Sequence, residues 1–99
     1  MYESMDELEA AVRRRLYRVR DLAEDMAAVR GRETAPDGSI TAEVDGNGAL
    51  LNLEFSEGIS RMSPDEFERT LTATAASAAR SAFARRAALV TAFNEEVAE

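Results

Sequence analysis

The sequence predicts an α+β protein in which a small antiparallel sheet lies between two long helices, in the order α-β-β-β-α. Three observations predict this fold. Residues 38–55 alternate apolar and polar side chains around the turn sequence Asp45-Gly46-Asn47-Gly48, as expected of a β-hairpin. An apolar heptad pattern precedes the hairpin, and a long alanine-rich stretch of helical periodicity follows it. Ninety-nine residues are enough for one domain, so residues 1–99 are expected to fold as a single unit.

The first helix is predicted over residues 4–30. Ser4-Met5-Asp6-Glu7 fits a capping box, in which the serine and glutamate side chains accept hydrogen bonds from free backbone N–H groups. The apolar residues of the heptad are Met5, Leu8, Val12, Val19, Leu22, Met26 and Val29. Arg15 interrupts this pattern, and Gly31 is predicted to end the helix.

Three strands are predicted next, at about residues 32–35, 39–44 and 49–55. Pro36-Asp37-Gly38 is a turn signal between the first two strands, and the glycine-rich turn separates the second from the third. Apolar residues alternate with polar ones along both strands of the hairpin. One face of the sheet is therefore expected to be apolar.

The second helix is predicted over residues 64–97. In Ser63-Pro64-Asp65-Glu66, serine is the cap and proline occupies the first helical position. The residues that share one face are Phe67, Leu71, Ala75, Ala78, Ala82, Leu89, Phe93 and Val97. The small side chains in the middle of this helix predict a surface for close packing.

The composition argues against catalysis. There is no cysteine and no histidine, so the usual nucleophile and general base are missing, and no metal-binding spacing occurs. We therefore expect no catalytic residues, no metal, no cofactor and no small-molecule substrate. The acidic N-terminus lacks the apolar segment of a signal peptide, and no apolar run approaches membrane-spanning length. The expected location is the cytoplasm, with no membrane association.

Charge is distributed unevenly along the chain. The formal net charge is −7, and all twelve basic residues are arginine. Residues 35–66 hold seven acids and one arginine, whereas residues 1–34 and 67–99 are nearly balanced. The sheet region is therefore predicted to be the acidic part of the molecule.

Five arginines have no acidic residue three or four positions away in their own helix: Arg14, Arg15, Arg80, Arg85 and Arg86. Such guanidinium groups can bind phosphates bidentately, which makes these residues candidate DNA contacts. Alternatively, they pair with acids on another helix or on a second protomer. Arg15, in the apolar seam, is the best candidate for that second role, with its stem packed and its charge outward.

Self-association is also expected. Nineteen of the apolar residues are alanine, so large apolar side chains are scarce for a chain with two long helices. A single protomer would be marginally stable, and a homodimer would supply more buried surface.

The order of these elements resembles a known family. The heptad helix precedes the pattern Ile40-x-Ala42-x-Val44-x-Gly46-x-Gly48-x-x-x-x-Leu53-x-Phe55, and a long alanine-rich helix with a Ser-Pro-Asp-Glu start follows it. This arrangement resembles the YbaB/EbfC family of small bacterial nucleoid-associated proteins, over almost the whole chain. Two features depart from many relatives. The last strand continues as Phe55-Ser56-Glu57-Gly58 where they have Ile-Asp-Pro, and lysine is absent.

The resemblance implies a tweezer-like homodimer that binds DNA in the nucleoid. The sheets of two chains would meet, and pairs of helices would project as arms toward DNA. The shared dimer core would then be built from Ile40, Val44, Leu51, Leu53 and Phe55. The arginines on the helices would face phosphate.

Two other functions remain open from the sequence. The acidic middle segment fits a protein-interaction module or adaptor without DNA binding, and some actinobacterial relatives accompany specialised secretion systems. A purely structural coiled-coil dimer is the third possibility.

Overall fold

The computed structural model describes residues 3–98 and has the predicted order of elements. These elements are α1 Met5–Ala27, β1 Arg30–Thr34, β2 Ile40–Asp45, β3 Leu50–Phe55 and α2 Pro64–Ala98, with a short 3₁₀ turn at Glu57–Arg61. The strands form one antiparallel sheet in the order β1-β2-β3. The predicted fold class is therefore confirmed.

Side chains cap the start of both helices. Ser4 Oγ accepts a hydrogen bond from the backbone N–H of Glu7 at 3.1 Å, and the Glu7 carboxylate accepts one from the N–H of Glu3 at 2.9 Å. At the start of α2, Ser63 Oγ accepts from the N–H of Glu66 at 3.1 Å. Each cap satisfies a donor that the helix itself leaves free.

The junction between α1 and β1 lies earlier in the chain than predicted. α1 ends at Ala27, and Gly31 lies inside β1 instead of ending the helix. The reason is the close passage of α2 over this strand. A Cβ atom on Gly31 would lie 2.0 Å from the carbonyl oxygen of Ala78 and 2.9 Å from the backbone nitrogen of Ala82. Glycine is needed here for the approach of two backbones.

One face of the sheet forms the core with α2. Ile40, Ala42 and Val44 alternate along β2 and are fully buried. The main cluster consists of Val29, Ala42, Val44, Ala78 and Ala82, with Leu53, Ala75 and Leu89 packed against it. Most of these side chains are small, so α2 can lie close to the sheet, as the alanine pattern predicts.

The other face of the sheet is polar and uncovered. Arg32 forms ion pairs with Glu43 on β2 and Glu54 on β3. The hydroxyl groups of Thr34 and Thr41, which are paired across β1 and β2, lie 2.8 Å apart. The acids of this face are therefore partly neutralised by an arginine of the same sheet.

The turn between β2 and β3 is held by hydrogen bonds to Asp45 and by contact with α2. Asp45 Oδ1 accepts hydrogen bonds from the N–H groups of Asn47 and Ala49, both at 2.9 Å. Gly48 has φ +82°, and a Cβ atom at that position would lie 2.9 Å from the ring of Phe83. The turn therefore requires glycine both for its backbone angle and for its contact with α2.

The residues predicted for a dimer core fall into two groups. Ile40 and Val44 are 0% and 1% exposed, so they belong to the core of a single protomer and have no surface to share. Leu51 and Phe55 are about half exposed, whereas Leu53 is half-buried. Any contact between sheets therefore has its apolar surface on β3, an edge strand.

The two helices form an arm that extends away from the sheet. Arg18 Nε lies 3.8 Å from Glu96 Oε1, and Met26 lines a groove with Val90, so α1 runs antiparallel to the C-terminal half of α2. The molecule measures 71 × 18 × 15 Å and has a radius of gyration of 20.4 Å. A compact domain of this length would have a radius of gyration of about 13 Å. The structure describes the whole of α1, and no residue of this helix is fully buried.

Candidate nucleic-acid interface

The five candidate arginines lie on the two helices, as predicted, but they do not form one patch. Arg14 and Arg15 are exposed on α1, and Arg80 and Arg85 are exposed on α2. The pairing of Arg18 with Glu96 places Arg14 beyond the last described turn of α2. Arg14 and Arg85 are therefore separated by more than ten residues along the arm, or at least about 15 Å. The structure thus has an arginine group on the outer part of α1 and another near the sheet.

Arg86 links α2 to the hairpin turn, a contact that the neighbouring residues of α2 do not predict. Its Nη1 donates to the carbonyl oxygen of Gly46 at 2.8 Å and to Asn47 Oδ1 at 3.3 Å. These bonds link α2 to the hairpin turn, and the side chain is half-buried beside Met26. One donor of this guanidinium is thus already occupied by the protein.

Arg85 lies at the rim of a groove between the end of α1 and α2. This groove has a volume of about 420 Å³ and also contains Asp25, Arg30 and Leu89. Arg30 Nη1 donates to the carbonyl oxygens of Val29 at 2.8 Å and Ala27 at 3.2 Å. It thereby satisfies carbonyl groups at the end of α1. Arg30 and Arg85 together make the groove positive despite the aspartate.

Arg30 was missed by the sequence reasoning, although it lies inside the helix predicted over residues 4–30 and has no acid three or four residues before it. An arginine just after the last turn of a helix is a recognised C-terminal signal, and that signal could have found it.

The arginines in the middle of α1 are less neutralised than their spacing predicts. Arg13, Arg18 and Arg20 each have an acid three or four residues away. Between the residues that the structure describes, however, the arginines in ion pairs are Arg18, with Glu96 of α2, and Arg32, within the sheet. Arg20 instead lies over the ring of Tyr17, 5.9 Å from its centroid. Residues 13–20 therefore carry five arginines and no acid, and of these Arg18 pairs with Glu96.

The negative excess of the chain lies in the sheet region and its loops, because residues 35–66 hold seven acids and one arginine. Asp37, in the turn before β2, accepts hydrogen bonds from the hydroxyl of Ser39 at 2.6 Å and from its N–H at 3.0 Å. These bonds favour the charged form and lower the pKa of Asp37 below its ordinary value.

Residues 3–98 contain no group of three or more histidine, cysteine, aspartate or glutamate side chains that could hold a metal ion. The candidate functional features are therefore charged surfaces, with arginines grouped at residues 13–20 and 80–86 of the helices and a negative excess over residues 35–66.

The profile of the YbaB/EbfC DNA-binding family matches residues 1–97 of this sequence. The chain belongs to the YbaB/EbfC DNA-binding family. The resemblance inferred from the hairpin and the two helices is thereby confirmed.

A solved structure shares the fold of the chain. The crystal structure of an uncharacterised protein of Helicobacter pylori, HP0035, is similar with a TM-score of 0.63. The likeness covers 95% of this chain and 98% of the Helicobacter pylori chain, at 15% sequence identity. At that identity the likeness concerns the fold alone. No curated protein matches the sequence.

Neither helix, within the described residues, is both long enough and apolar enough to cross a bilayer.

Proposed function

We propose that the protein is a dimeric, nucleoid-associated DNA-binding protein that contacts DNA phosphates through the arginines of its helical arm. Its membership of the YbaB/EbfC DNA-binding family carries this proposal. Such binding places the protein in the bacterial cytoplasm, on the nucleoid.

The charge distribution supports the helices as the binding surface. Arg14, Arg15, Arg80 and Arg85 are exposed, and no described acid forms an ion pair with any of them. The sheet region carries the negative excess and would be repelled by the duplex. DNA would therefore meet the arm before it meets the sheet.

Arg86 has a different expected role. Its bonds to the hairpin turn hold α2 in place, so it supports the binding surface as well as adding charge to it. A loss of DNA binding in an Arg86 variant would combine these two effects and would not by itself identify a contact.

The main test is a gel shift across a salt series. If a dimer contacts about six phosphates, counterion release predicts a fall in affinity of roughly three orders of magnitude between 50 and 200 mM salt. Affinity should depend little on DNA sequence, because phosphate contacts carry no base information. No binding at 50 mM salt, or binding that does not change with salt, would refute the proposal.

A matched pair of variants tests which arginines bind. Replacing Arg14 and Arg15 with alanine removes four charges per dimer, which should reduce the slope of log affinity against log salt by roughly three to four. Arg32→Ala is the control, because Arg32 is paired with Glu43 and Glu54 on the sheet. The control should bind nearly as tightly as the parent protein. A loss in the control of half that in the double variant would show that net charge, and not the arm, determines binding, because Arg32→Ala removes half as many charges.

The dimer is proposed to form through β3. This edge strand has unpaired backbone groups on one side, and Leu50, Leu51 and Phe55 leave about half of each side chain exposed. An edge of this kind readily pairs with another chain. Light scattering at micromolar concentration should give at least twice the protomer mass, and a monomer mass would refute this part of the proposal.

The same exposed strand supports the second candidate function, an adaptor that binds another protein in place of DNA. That function predicts recovery of a stoichiometric protein partner in a pull-down with a chain that gives no gel shift at low salt.

A further inference from the structure

An apolar stripe on α1 is left uncovered by the rest of the chain. Its members are Met5, Leu8, Val12, Leu16 and Val19, which are 38–70% exposed. Leu22 and Met26, further along the same heptad, are half-buried, and Met26 lines a groove with Phe83 and Val90 of α2. The stripe spans 14 residue steps, or about 21 Å of helix.

The spacing of this stripe is symmetric about its centre. Successive members are separated by three, four, four and three residues, and Val12 is the middle one. Two copies of α1 that lie antiparallel with a two-fold axis at Val12 would therefore place Val12 against its counterpart. The same alignment would set Leu8 against Leu16 and Met5 against Val19, so every apolar layer would be filled.

The charges of α1 fit the same antiparallel alignment. Residues 3–9 hold four acids and no arginine, whereas residues 13–20 hold five arginines and no acid. These two blocks lie on either side of Val12 at similar distances. An antiparallel pair centred there would set each acidic block against the arginine block of the other copy. A parallel pair would instead set like charges together, which opposes association.

We propose that the apolar stripe of α1 is a second self-association surface, which binds a second copy of this chain in an antiparallel, two-fold contact centred on Val12. The stripe is on the arm, far from β3, so this contact is separate from the sheet-mediated dimer. A chain with two different two-fold contacts joins copies into chains or closed tetramers. DNA-bound dimers would in this way be linked through their arms.

Engineered cysteines give the direct test, because the parent sequence contains none. Val12→Cys places one thiol on the two-fold axis, so a short bismaleimide should link two copies of this variant. Ala10→Cys is the matched control, since residue 10 is exposed and lies about 160° around the helix from Val12. Linking at position 12 should be at least about tenfold faster than at position 10, because the contact raises the effective thiol concentration.

The register is tested with two more variants. Met5→Cys and Val19→Cys should each fail to link to themselves but should link to each other when mixed. Self-linking of both variants would show a parallel pair and would overturn the proposal. Equal linking rates for Val12→Cys and Ala10→Cys would also overturn the proposal, provided that circular dichroism shows both variants to be folded.

These measurements contain no DNA, so they stand apart from the gel shift. Absence of DNA binding would leave the cross-linking result unchanged, and absence of cross-linking would leave the proposed DNA contacts intact.

Glu9→Arg adds a charge test, because it places arginine in the acidic block. It should slow the linking of Val12→Cys by at least about tenfold, and an unchanged rate would contradict the role of charge in the alignment.

Discussion

Replacing Gly31 with alanine should destabilise the protein strongly, although the change adds a single methyl group. The added Cβ would lie 2.0 Å from the carbonyl oxygen of Ala78, whereas ordinary contact begins at 3.4 Å. α2 would have to move away from β1 by up to 1.4 Å, the difference between these two distances. The obstructing atom belongs to a helix backbone and cannot rotate aside.

The magnitude follows from two opposing effects. Overpacking of this kind costs about 1–3 kcal/mol, and a backbone obstacle places the cost near 3. Alanine also reduces the conformational freedom of the unfolded chain, which returns about 0.4–1 kcal/mol. The expected net loss is therefore about 2–3 kcal/mol, from a total stability of roughly 5–15 kcal/mol for a domain of this size. For a chain of about 100 residues, this loss lowers the Tm by roughly 10–20 °C.

Urea denaturation followed by circular dichroism measures this loss at a fixed protomer concentration, since self-association shifts apparent stability. Gly58→Ala is the matched control, because its nearest neighbour is the side-chain oxygen of Ser56 at 3.3 Å. The control should stay within about 0.5 kcal/mol of the parent protein. Gly38→Ala isolates backbone strain, since Gly38 has φ +74° and nothing within 4 Å, and should cost about 1–2 kcal/mol. If Gly31→Ala is as stable as Gly58→Ala, α2 does not lie against β1 as described.

Three further outcomes are expected. Arg86→Ala should speed amide hydrogen exchange at Gly46 and its neighbours by breaking the link between α2 and the turn, and exchange equal to that of the parent would contradict this role. Ser39→Ala should raise the pKa of Asp37 toward its ordinary value, as measured by an NMR titration of the carboxyl carbon. The pKa of Asp37 is lowered in the folded protein, so its contribution to stability is present above the unfolded pKa and is lost as the pH falls through the folded pKa. Ser39→Ala should weaken this dependence of stability on pH. An unchanged titration of Asp37 would count against the hydrogen bond. Leu51→Asp should at least halve the mass measured by light scattering while circular dichroism stays unchanged, because the side chain is half exposed and the variant removes the β3 contact alone; an unchanged mass would place the sheet interface elsewhere.

Much of the fold could be predicted because its signals are local. The serine caps, the glycine turn and the alternation of Ile40, Ala42 and Val44 each depend on neighbours within a few residues. The apolar face of α2 likewise follows from helical spacing, and the structure buries or half-buries every residue assigned to it.

The contacts that could not be predicted join elements that are distant in sequence. Glycine often follows a helix, so the pattern predicts Gly31 as a helix stop; this is wrong, because the role of Gly31 depends on Ala78, 47 residues later. Arg86 lacks an acidic partner within α2 but bonds to the hairpin, 40 residues away. Alternation predicts a buried face at Ile40 and Val44, but not whether a helix or a second chain covers it.

The two helices differ in how extensively they pack against the sheet. α2 contributes Thr74, Ala78 and Ala82 to the buried interior, whereas α1 contributes no fully buried residue and is anchored through Val29 just after its end. In mechanical terms, α1 is a cantilever: it lies along α2 as far as the Arg18–Glu96 pair, and residues 5–17, about 20 Å of helix, project beyond it. A rotation of about 10° at Arg18 would move the far end by about 3 Å, from the geometry of a rod of this length. The contact between Arg18 and Glu96 would thus influence the position of the tip of the arm.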